Sequence, residues 1–411
     1  MKTITNLFIT LVTSAIFLMS CGEDDFGQPA DDRDGIISSQ SDKDLIADDL
    51  SGDITGDITL DASTSWTMTG PLAVKDGATL TIEPGTTIKA SAGGTNVYLV
   101  VETGGKLKAS GTSTDPITFT SSASNPRNGD WGGVLINGLA PISGGGTSTT
   151  EVLPLSYGGT DAADNSGVFT FVTLEYTGAR INGEKEFNGL TLYAVGNGTQ
   201  INNIVIDGGD DDGIEFFGGT VEVDNLLVIN ARDDMFDWTQ GYTGGGTNWY
   251  GIRENGFTAI SEDTRGIEGD GNLDGLNPTQ SGQSNPTIDK LTIVNGAFDP
   301  SVEFADLVKI RRGSMATITD AMLAIVENSG DFGTFSDLID LTDSKGDAGD
   351  GASITYWVND QLVVNGDIND TKRGANSTTI TTSAVSTGAD ESVFSWTGYS
   401  FPSLTSATAR Q

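Results

Sequence analysis

The chain has 411 residues with 57 acidic and 21 basic side chains, a formal net charge of -36, no histidine and one cysteine. These numbers exclude a histidine-bound zinc site, a Ser-His-Asp triad, an internal disulfide and a cysteine-ligated cluster. The acidic excess also argues against nucleic acid as a partner, because phosphate contacts need clustered lysine and arginine.

The N-terminal segment has the pattern of a lipoprotein signal peptide, which we predict over residues 1–20. A mostly apolar run from Leu7 to Met19 is too short to span a bilayer. It ends in Leu18-Met19-Ser20-Cys21, which resembles a bacterial lipobox. We therefore expect cleavage before Cys21 and lipidation of this residue, which would anchor the protein to a membrane. An ordinary secretory peptide with an accidental cysteine is the alternative.

The next segment, residues 21–57, is predicted to be an acidic flexible tether. Residues 22–57 hold 12 acidic and 2 basic side chains and few large apolar ones, so they repel one another and offer little to a core. Acidic residues directly after a lipidated cysteine resemble the surface-export signal of Bacteroidota lipoproteins. The expected location is therefore the cell surface, on the outer membrane, although a merely solvated linker would look the same.

The body of the chain, residues 58–405, is repetitive and rich in short strand patterns. Leu80 to Ala92 resembles Leu99 to Gly111, and Asn203 to Phe216 recurs as Asn225 to Trp238. The units alternate apolar and polar residues and are bounded by Gly, Asn or Asp, which is typical of strands. The best short helical candidate is Phe304 to Arg312.

The first repeat has an offset of 19 residues and the second an offset of 22. Repeats of 19–22 residues, each with two or three strands, predict an all-β fold in which coils stack as a parallel β-helix. A β-sandwich would need more hairpin turns, and a propeller would need a longer period. Three stretches interrupt the period, namely residues 121–165, 240–286 and 340–352. Such excursions from a solenoid often build its binding face.

Several segments together resemble a family of secreted or lipid-anchored right-handed parallel β-helix proteins that is common in Bacteroidota. The resemblance covers roughly residues 58–330 and implies the fold and a cell-surface setting, but no established catalytic residues. The segments that carry it are Gly129-Asp130-Trp131-Gly132-Gly133-Val134, Tyr157-Gly158-Gly159-Thr160 with Asp164-Asn165-Ser166-Gly167, Leu174-Glu175-Tyr176, Asn188-Gly189-Leu190-Thr191-Leu192, Glu215-Phe216-Phe217-Gly218-Gly219-Thr220, Asp233-Asp234-Met235-Phe236-Asp237 and Arg265-Gly266-Ile267-Glu268.

Two acidic turns form the first candidate metal site. If Asn203 to Phe216 and Asn225 to Trp238 occupy equivalent positions on adjacent coils, Asp211 and Asp212 lie next to Asp233 and Asp234, about 4.8 Å apart. Crowded carboxylates raise their pKa values or bind a cation, and oxygen ligands suit Ca²⁺. Glu215 and Asp237 would add to the group, whereas Arg232 could neutralise part of it. Alternatively, these residues simply shape tight corners.

A second candidate calcium site is the run Asp270-Gly271-Asn272-Leu273-Asp274-Gly275. It reproduces the first half of an EF-hand loop, with Asp270, Asn272 and Asp274 as ligands. The twelfth position is Ser281 instead of glutamate, although Glu268 could compensate. Short loops of this kind also arise by chance in Asp- and Gly-rich chains.

Five aromatic residues near Gly-rich segments form a candidate glycan-binding surface: Trp131, Trp238, Tyr242, Trp249 and Tyr250. Flat rings on a rigid scaffold suit sugar stacking. The alternative is that they cover or cap the solenoid.

The predicted function is a surface-anchored binding or adhesion module for a glycan or a neighbouring outer-membrane protein, with Ca²⁺ as a structural ion. The alternative is a Ca²⁺-dependent lyase of acidic polysaccharides, which would need a base such as Arg232 or a residue of Lys309-Ile310-Arg311-Arg312. An arginine base must lose its proton, which is costly near pKa 12.5. A structural adhesin or transporter accessory remains a third possibility.

Overall fold

The computed structural model describes residues 33–182, 185–259, 263–299, 301–328, 330–359, 371–383 and 387–404. These residues are almost entirely β-structure, with two 3-10 helices, Leu273–Gly275 and Glu391–Thr397. The strands, in chain order, are β1 (Ile36–Ile37), β2 (Leu50–Ile54), β3 (Asp57–Leu60), β4 (Trp66–Val74), β5 (Thr79–Ile82), β6 (Thr87–Ala90), β7 (Leu99–Val101), β8 (Lys106–Ser110), β9 (Ile117–Ser121), β10 (Val134–Asn137), β11 (Ser148–Thr149), β12 (Ser156–Tyr157), β13 (Gly167–Glu175), β14 (Arg180–Asn182), β15 (Lys185–Glu186), β16 (Leu190–Tyr193), β17 (Gln200–Asp207), β18 (Ile214–Phe217), β19 (Val223–Ile229), β20 (Phe236–Thr239), β21 (Gly245–Arg253), β22 (Arg265–Asp270), β23 (Thr287–Asn295), β24 (Glu303–Arg311), β25 (Thr317–Ile325), β26 (Thr334–Asp340), β27 (Ser353–Val358), β28 (Thr371–Lys372) and β29 (Thr379–Thr382).

The strands stack as a parallel β-helix with three faces, as the repeats predicted. Face I contains β1, the ends of β2 and β4, then β7, β10, β16, β18, β20, β22, β24, β26 and β28. Face II contains β3, β5, β8, the starts of β13, β17, β19, β21, β23, β25 and β27, and β29. Face III contains the starts of β2 and β4, then β6, β9 and the ends of β13, β17, β19, β21, β23, β25 and β27.

The core fills the inside of the solenoid and follows from the alternation along each strand. In β18, Ile214 and Phe216 are buried and stack on Phe236 and Trp238 of β20, while Glu215 between them points outward. Each fully buried side chain of this kind contributes about 1.5–3 kcal/mol relative to an exposed one. A single coil cannot close such a core, so stability comes from stacking.

One predicted repeat is confirmed and the other is wrong. Ile204 pairs with Leu226, and Ile214 pairs with Phe236, as the second repeat required. By contrast, Leu80 pairs with Leu107, and Leu99 pairs with Leu72. The first alignment failed because similar strand–turn–strand patterns recur on different faces of one coil. The short helical candidate is also wrong, since it lies in the strand β24.

The solenoid begins before the predicted boundary at residue 58. Strands β1 and β2, inside the segment predicted as a tether, pair in parallel with each other and with β4. Ile37, Leu50 and Ile54 are fully buried. These few apolar residues are enough to fold the segment, because they extend the core of the solenoid instead of forming a separate core. Residues 1–32, with the predicted signal peptide and Cys21, lie outside the described residues.

Asparagines turn the corner between faces II and III on three consecutive coils. Asn203, Asn225 and Asn248 have φ values of 55°, 55° and 72°, a left-handed conformation that asparagine tolerates better than most residues. Asn225 Nδ2 donates to Asn203 Oδ1 at 3.2 Å, and Asn248 Nδ2 donates to Asn225 Oδ1 at 3.4 Å. The side chains therefore form a ladder along the stack.

The segment 387–404 lies across the outer surface of face III, and we call it the C-terminal strap. Its Phe394 is fully buried in an apolar cluster with Val205, Leu227 and Tyr250. The backbone N–H of Asp390 donates to Asn248 Oδ1, which ties the strap to the asparagine ladder.

In the described part of the chain, no helix is long and apolar enough to cross a membrane.

Candidate functional site

Two adjoining cavities of about 490 and 320 Å³ lie on the outer surface of face I. They share four acidic lining residues, Glu151, Glu215, Asp237 and Glu268. We call the two cavities together the acidic groove. The groove follows the long axis of the solenoid across the coils that contain β18, β20 and β22.

The floor of the acidic groove is a row of carboxylates on successive coils. Glu215 pairs with Asp237, and Asp237 pairs with Glu268. Their neighbours along each strand are buried apolar residues or glycine, so alternation leaves the acid pointing outward. Parallel strands lie about 4.8 Å apart, so the fold places these carboxylates close together.

A second acidic row lies just before these strands, in the turns that the sequence singled out. Asp212 Oδ1 accepts a hydrogen bond from the Asp234 backbone at 2.8 Å, and Asp234 Oδ1 accepts one from the Arg265 backbone at 2.5 Å. Asp212 and Asp234 are only 8% and 5% exposed. Each turn is thus held by the carboxylate of the preceding coil.

The two rows together create two equivalent carboxylate triads. The first contains Asp212, Glu215 and Asp237, and the second contains Asp234, Asp237 and Glu268. In each triad, one carboxylate oxygen per residue lies within 4.8 Å of the others. The second triad repeats the first one coil further along, and Asp237 belongs to both.

The two triads differ in their positive neighbours. In the second triad, Glu268 forms ion pairs with Arg265 and Arg311. In the first triad, Glu215 accepts a hydrogen bond from Asn188 Nδ2 at 2.6 Å. No arginine or lysine ion pair involves Asp212, Glu215 or Asp237 within the described ranges. The first triad is therefore the better place for an added cation.

Buried polar atoms without hydrogen-bond partners gather around the first triad. Among the described residues, Asp237 Oδ1, Thr239 Oγ1 and Asn188 Oδ1 are buried and have no partner. Thr239, only 6% exposed, lines the groove two residues after Asp237. Leaving such atoms unpaired costs about 1–3 kcal/mol each, so a ligand or water molecule that bonds to them would stabilise the site.

Burial makes the carboxyl groups of the first triad weak acids. Burial is the largest cause that raises the pKa of Asp212, Glu215 and Asp237 well above the usual range of carboxyl groups. Nearby carboxylates raise these pKa values further: Asp211 acts on Asp212, Glu151 on Glu215, and Glu215 on Asp237. The triad thus demands either bound protons or a cation.

Insertions form the walls of the acidic groove. The β11–β12 hairpin carries Glu151 between its strands and packs Tyr157 against Tyr193, with ring centroids 4.8 Å apart. The backbone N–H of Gly144 donates to Ser281 at 2.9 Å, which joins this insertion to the loop after β22. Residues 240–286 were predicted to form one insertion, and this prediction is wrong. The segment contains two strands of the solenoid, β21 and β22, with loops between and after them.

The structure brings the predicted acidic turns together but uses part of them internally. Arg180 Nη2 pairs with Asp211 Oδ1 at 2.5 Å and lies 3.7 Å from Asp233 Oδ2. Arg232 pairs with Asp210. Asp211, Asp212, Asp233 and Asp234 all line the smaller cavity. Asp212 and Asp234 belong to the two triads, and Asp211, Asp212 and Asp233 form a further group with carboxylate oxygens within 4.8 Å of one another, which Arg180 contacts.

The predicted calcium loop after β22 uses its side chains for protein contacts. Asp270 pairs with Arg311 Nε at 2.8 Å and with Arg312 Nη1 at 2.6 Å. Asn272 Oδ1 accepts the backbone N–H of Asn277 at 2.8 Å. Asp274 lies in a 3-10 helix, and its side chain lies outside the described residues. Both ligand groups that the structure describes therefore already have partners.

The prediction of an aromatic glycan-binding surface is wrong. Trp131, Trp238, Tyr242, Trp249 and Tyr250 are all fully buried. The first four lie in the solenoid core, and Tyr250 lies beneath the C-terminal strap. Glycine accompanies the rings because they need space: a Cβ at Gly269 would lie 2.4 Å from the Trp238 ring.

Sequence reasoning did not assign Glu215, Asp237 and Glu268 as the centre of the site. The available signal was the alternation in Ile214-Glu215-Phe216-Phe217 and Phe236-Asp237-Trp238-Thr239. It marks an acidic residue that points away from the core at the same position of each repeat. Thr239 and Asn188 gave no signal, because their missing partners appear only in three dimensions.

Comparison with known families gives a match over most of the chain. A family model described as "Pectate-lyase like beta helix domain" matches residues 52–399. No significant match was found among curated proteins or among solved structures.

Proposed function

Because this chain belongs to the family of pectate-lyase-like β-helix domains, we propose that it is a binding module whose acidic groove holds a divalent cation and a glycan. The observation that carries this proposal is Asp237, which is shared by both triads and whose buried Oδ1 has no partner among the described residues. A cation in the first triad would satisfy Asp237 and offset the charge of Asp212 and Glu215.

Calcium is the cation that the site favours. The triad offers carboxylate oxygens, and the unpaired amide oxygen of Asn188 lies on the side chain that donates to Glu215. Ca²⁺ prefers several oxygen ligands in a flexible arrangement, whereas softer metals prefer imidazole or thiolate. The chain has no histidine and one cysteine, so oxygen ligands are what it can supply.

A glycan fits the outer surface better than a partner membrane protein does. In the described residues, the exposed large apolar side chains are Ile36, Leu139, Ile181 and Leu276. This is little apolar surface for a stable protein interface. The acidic groove instead combines charged groups with the hydroxyls of Thr149, Thr150 and Thr239, which suit the hydroxyl groups of a sugar chain.

A Ca²⁺-dependent polysaccharide lyase is the alternative function, and the groove offers it a poor base. Burial lowers the pKa of Arg311, but Glu268 and Asp270 outweigh that effect and raise it above the usual arginine value. A general base must release its proton near the working pH. Growth of unsaturated-uronide absorbance with acidic glycans would nevertheless favour the lyase over the binding module.

We also propose that the module is held at the outer surface of the cell by lipid on Cys21. The support is the lipobox pattern Leu18-Met19-Ser20-Cys21 and the acidic residues that follow it. Labelling with a fatty acid in cells tests this anchor in the wild-type chain and in the Cys21→Ser variant. Label should enter the wild-type chain and not the variant, and an unlabelled wild-type chain would contradict lipid anchoring.

Calorimetric titration of the full chain tests the cation and the glycan together. After chelation with EGTA, Ca²⁺ should bind, and binding should be at least tenfold weaker in the Glu215→Gln variant. Glu222→Gln is the matched control, because Glu222 is exposed near face II and outside the acidic groove. Absence of Ca²⁺ binding, together with no glycan binding with or without Ca²⁺, would contradict the proposal.

A further inference from the structure

The acidic groove is lined by more than twice as many acidic as basic side chains. Its lining contains eleven acidic and five basic side chains. The acidic ones are Glu151, Glu186, Asp211, Asp212, Glu215, Asp233, Asp234, Asp237, Asp263, Glu268 and Asp270; the basic ones are Arg180, Lys185, Arg265, Arg311 and Arg312. All four arginines already form ion pairs with carboxylates of the lining.

One divalent cation would not reverse this excess. A calcium ion in the first triad adds two positive charges and leaves the smaller cavity acidic, since ten of its twelve lining residues are carboxylates. A glycan with a carboxylate on each sugar would add like charge at every coil. The electrostatics of the groove therefore disfavour a uronate polymer even with the cation in place.

We propose that the acidic groove recognises a glycan that carries primary amines, such as a polymer of amino sugars. This inference rests on the proposed function and names its ligand class. Carboxylates of the two rows recur on successive coils, so a linear ligand along the solenoid axis meets new acceptors at each coil. An ammonium group donates three hydrogen bonds and is attracted to each carboxylate.

The unpaired groups of the groove are an independent sign of a ligand with donors and hydroxyls. Thr239 is 6% exposed, lines the larger cavity, and its Oγ1 has no partner among the described residues. A cation in the first triad would take up Asp237 Oδ1, so Thr239 is the unpaired group left for the glycan. Its hydroxyl can both donate and accept, whereas the carboxylates beside it only accept. The two kinds of group match a ligand that bears amines and hydroxyls on neighbouring carbons.

A cationic peptide fits the groove less well than a glycan. The strands of face I bond through their backbones to the coils on both sides: β18, for example, pairs with β16 and β20. They therefore offer no free strand edge to the main chain of an extended peptide. The strands present only their side chains to the groove. Such a surface suits a glycan, whose polar groups lie on all sides of the chain, better than a peptide that binds through its backbone.

The test compares two sugar oligomers that share a backbone and differ in charge, together with an acidic sugar oligomer and a cationic peptide. Calorimetry of the full chain, with constant Ca²⁺, would use oligomers of glucosamine, N-acetylglucosamine and galacturonate, and oligolysine. We expect glucosamine oligomers to bind at least tenfold more tightly than the other three and to weaken as salt is raised. Equal affinity for the acetylated oligomer, or tighter binding of galacturonate or oligolysine, would overturn the inference.

Two variants separate this inference from the proposed function. Thr239→Val keeps the triads, so it should leave Ca²⁺ affinity unchanged and lower the affinity for glucosamine oligomers by about threefold to tenfold, consistent with one lost hydrogen bond. Glu222→Gln should change neither. If Ca²⁺ binds and galacturonate binds more tightly than glucosamine oligomers, the proposed function stands and the amine-bearing ligand is wrong. If neither Ca²⁺ nor any oligomer binds, both are wrong.

Discussion

Glu215 and Asp237 occupy the same outward position on consecutive coils of face I and pair in register. Each carboxylate is therefore held beside the other by the backbone of the solenoid and cannot move away without breaking the stack. Repulsion between them persists unless a proton or a cation lies nearby. This arrangement stores destabilising energy that binding can release.

Removing one of these charges should stabilise the protein without cation and abolish its response to calcium. We expect Asp237→Asn to raise the free energy of unfolding in EGTA by about 1 kcal/mol, the scale of one pKa unit. Wild-type protein should gain thermal stability on addition of Ca²⁺, whereas the variant should gain little. Differential scanning calorimetry provides the measurement.

Asp57→Asn is the control for this experiment, because Asp57 is exposed on face II. It should leave both the melting temperature in EGTA and the calcium response unchanged. If Asp237→Asn lowered the melting temperature in EGTA, the unpaired Oδ1 of Asp237 would have a structural role instead.

Stability without cation should fall as pH rises above about 4. Burial is the main cause that raises the pKa of Asp207 and of Asp270 to about 6, and it also raises the pKa values of the first triad. The native state therefore binds more protons than the unfolded state from about pH 4 to the raised pKa values, so the free energy of unfolding decreases across this window.

Urea unfolding at pH 4.5, 5.5, 6.5 and 7.5 in EGTA measures this slope. Excess Ca²⁺ should flatten it, because the cation replaces the protons of the triad and its binding releases them. A metal-free protein that became more stable between pH 4.5 and 6.5 would contradict the raised pKa values of these groups.

The asparagine ladder should tolerate glycine better than alanine. Asn225 has a φ of 55° and shares hydrogen bonds with Asn203 and Asn248. Both substitutions remove these bonds, but alanine also has a Cβ in a left-handed conformation, which costs roughly 1–2 kcal/mol. Urea unfolding should therefore show Asn225→Ala to be about 1 kcal/mol less stable than Asn225→Gly. Equal stabilities would show that backbone strain at this corner is unimportant.

Truncating the main anchor of the C-terminal strap should loosen the strap. Phe394 is fully buried, and a Phe→Ala change in such a site costs about 3–5 kcal/mol. Limited proteolysis of Phe394→Ala should cleave within residues 387–404 well before the solenoid strands. Ser392→Ala serves as the control, because its exposed side chain bonds only locally to Asp390. Similar cleavage of both variants would argue against Phe394 as the anchor.

The buried tryptophans should not report glycan binding. Trp131, Trp238 and Trp249 are fully buried, and each indole N–H donates to a protein oxygen. Trp396 of the C-terminal strap is only partly buried, so the measurement uses the Trp396→Phe variant. Iodide should quench the remaining tryptophan fluorescence weakly, and addition of glycan should not change the quenching. Strong quenching that glycan suppresses would restore a surface role for these rings.

The sequence predicted the parallel β-helix because its second repeat occurs on two coils without an insertion. Asn225 and Asp237 stand at the same positions of their coil as Asn203 and Glu215. The first repeat misled because turns on different faces need the same residue types, and local similarity cannot say which face a strand occupies. Three-dimensional pairing decides this, as Leu80 with Leu107 shows.

The acidic half of the candidate site was predictable and the aromatic half was not. Neighbouring acids at equal repeat positions, such as Asp212 and Asp234, come together in any solenoid of that period. A ring such as Trp238 has no such constraint, because glycine beside it can mean an open surface or a tight core. Trp238 follows Asp237 directly in a strand, so alternation predicts that it points into the core if Asp237 points outward. This alternation predicted the burial of Trp238 better than the neighbouring glycine did.

The C-terminal strap also has a consequence for the growing polypeptide. Val205 and Leu227 are synthesised long before Phe394, which shares their apolar cluster. At translation speeds of about 5–20 residues per second, roughly ten to forty seconds separate the first of these from the last. During that interval the apolar surface around Val205 and Leu227 remains exposed on the nascent chain. Slow elongation should therefore favour aggregation, although the strap covers this surface in the complete fold.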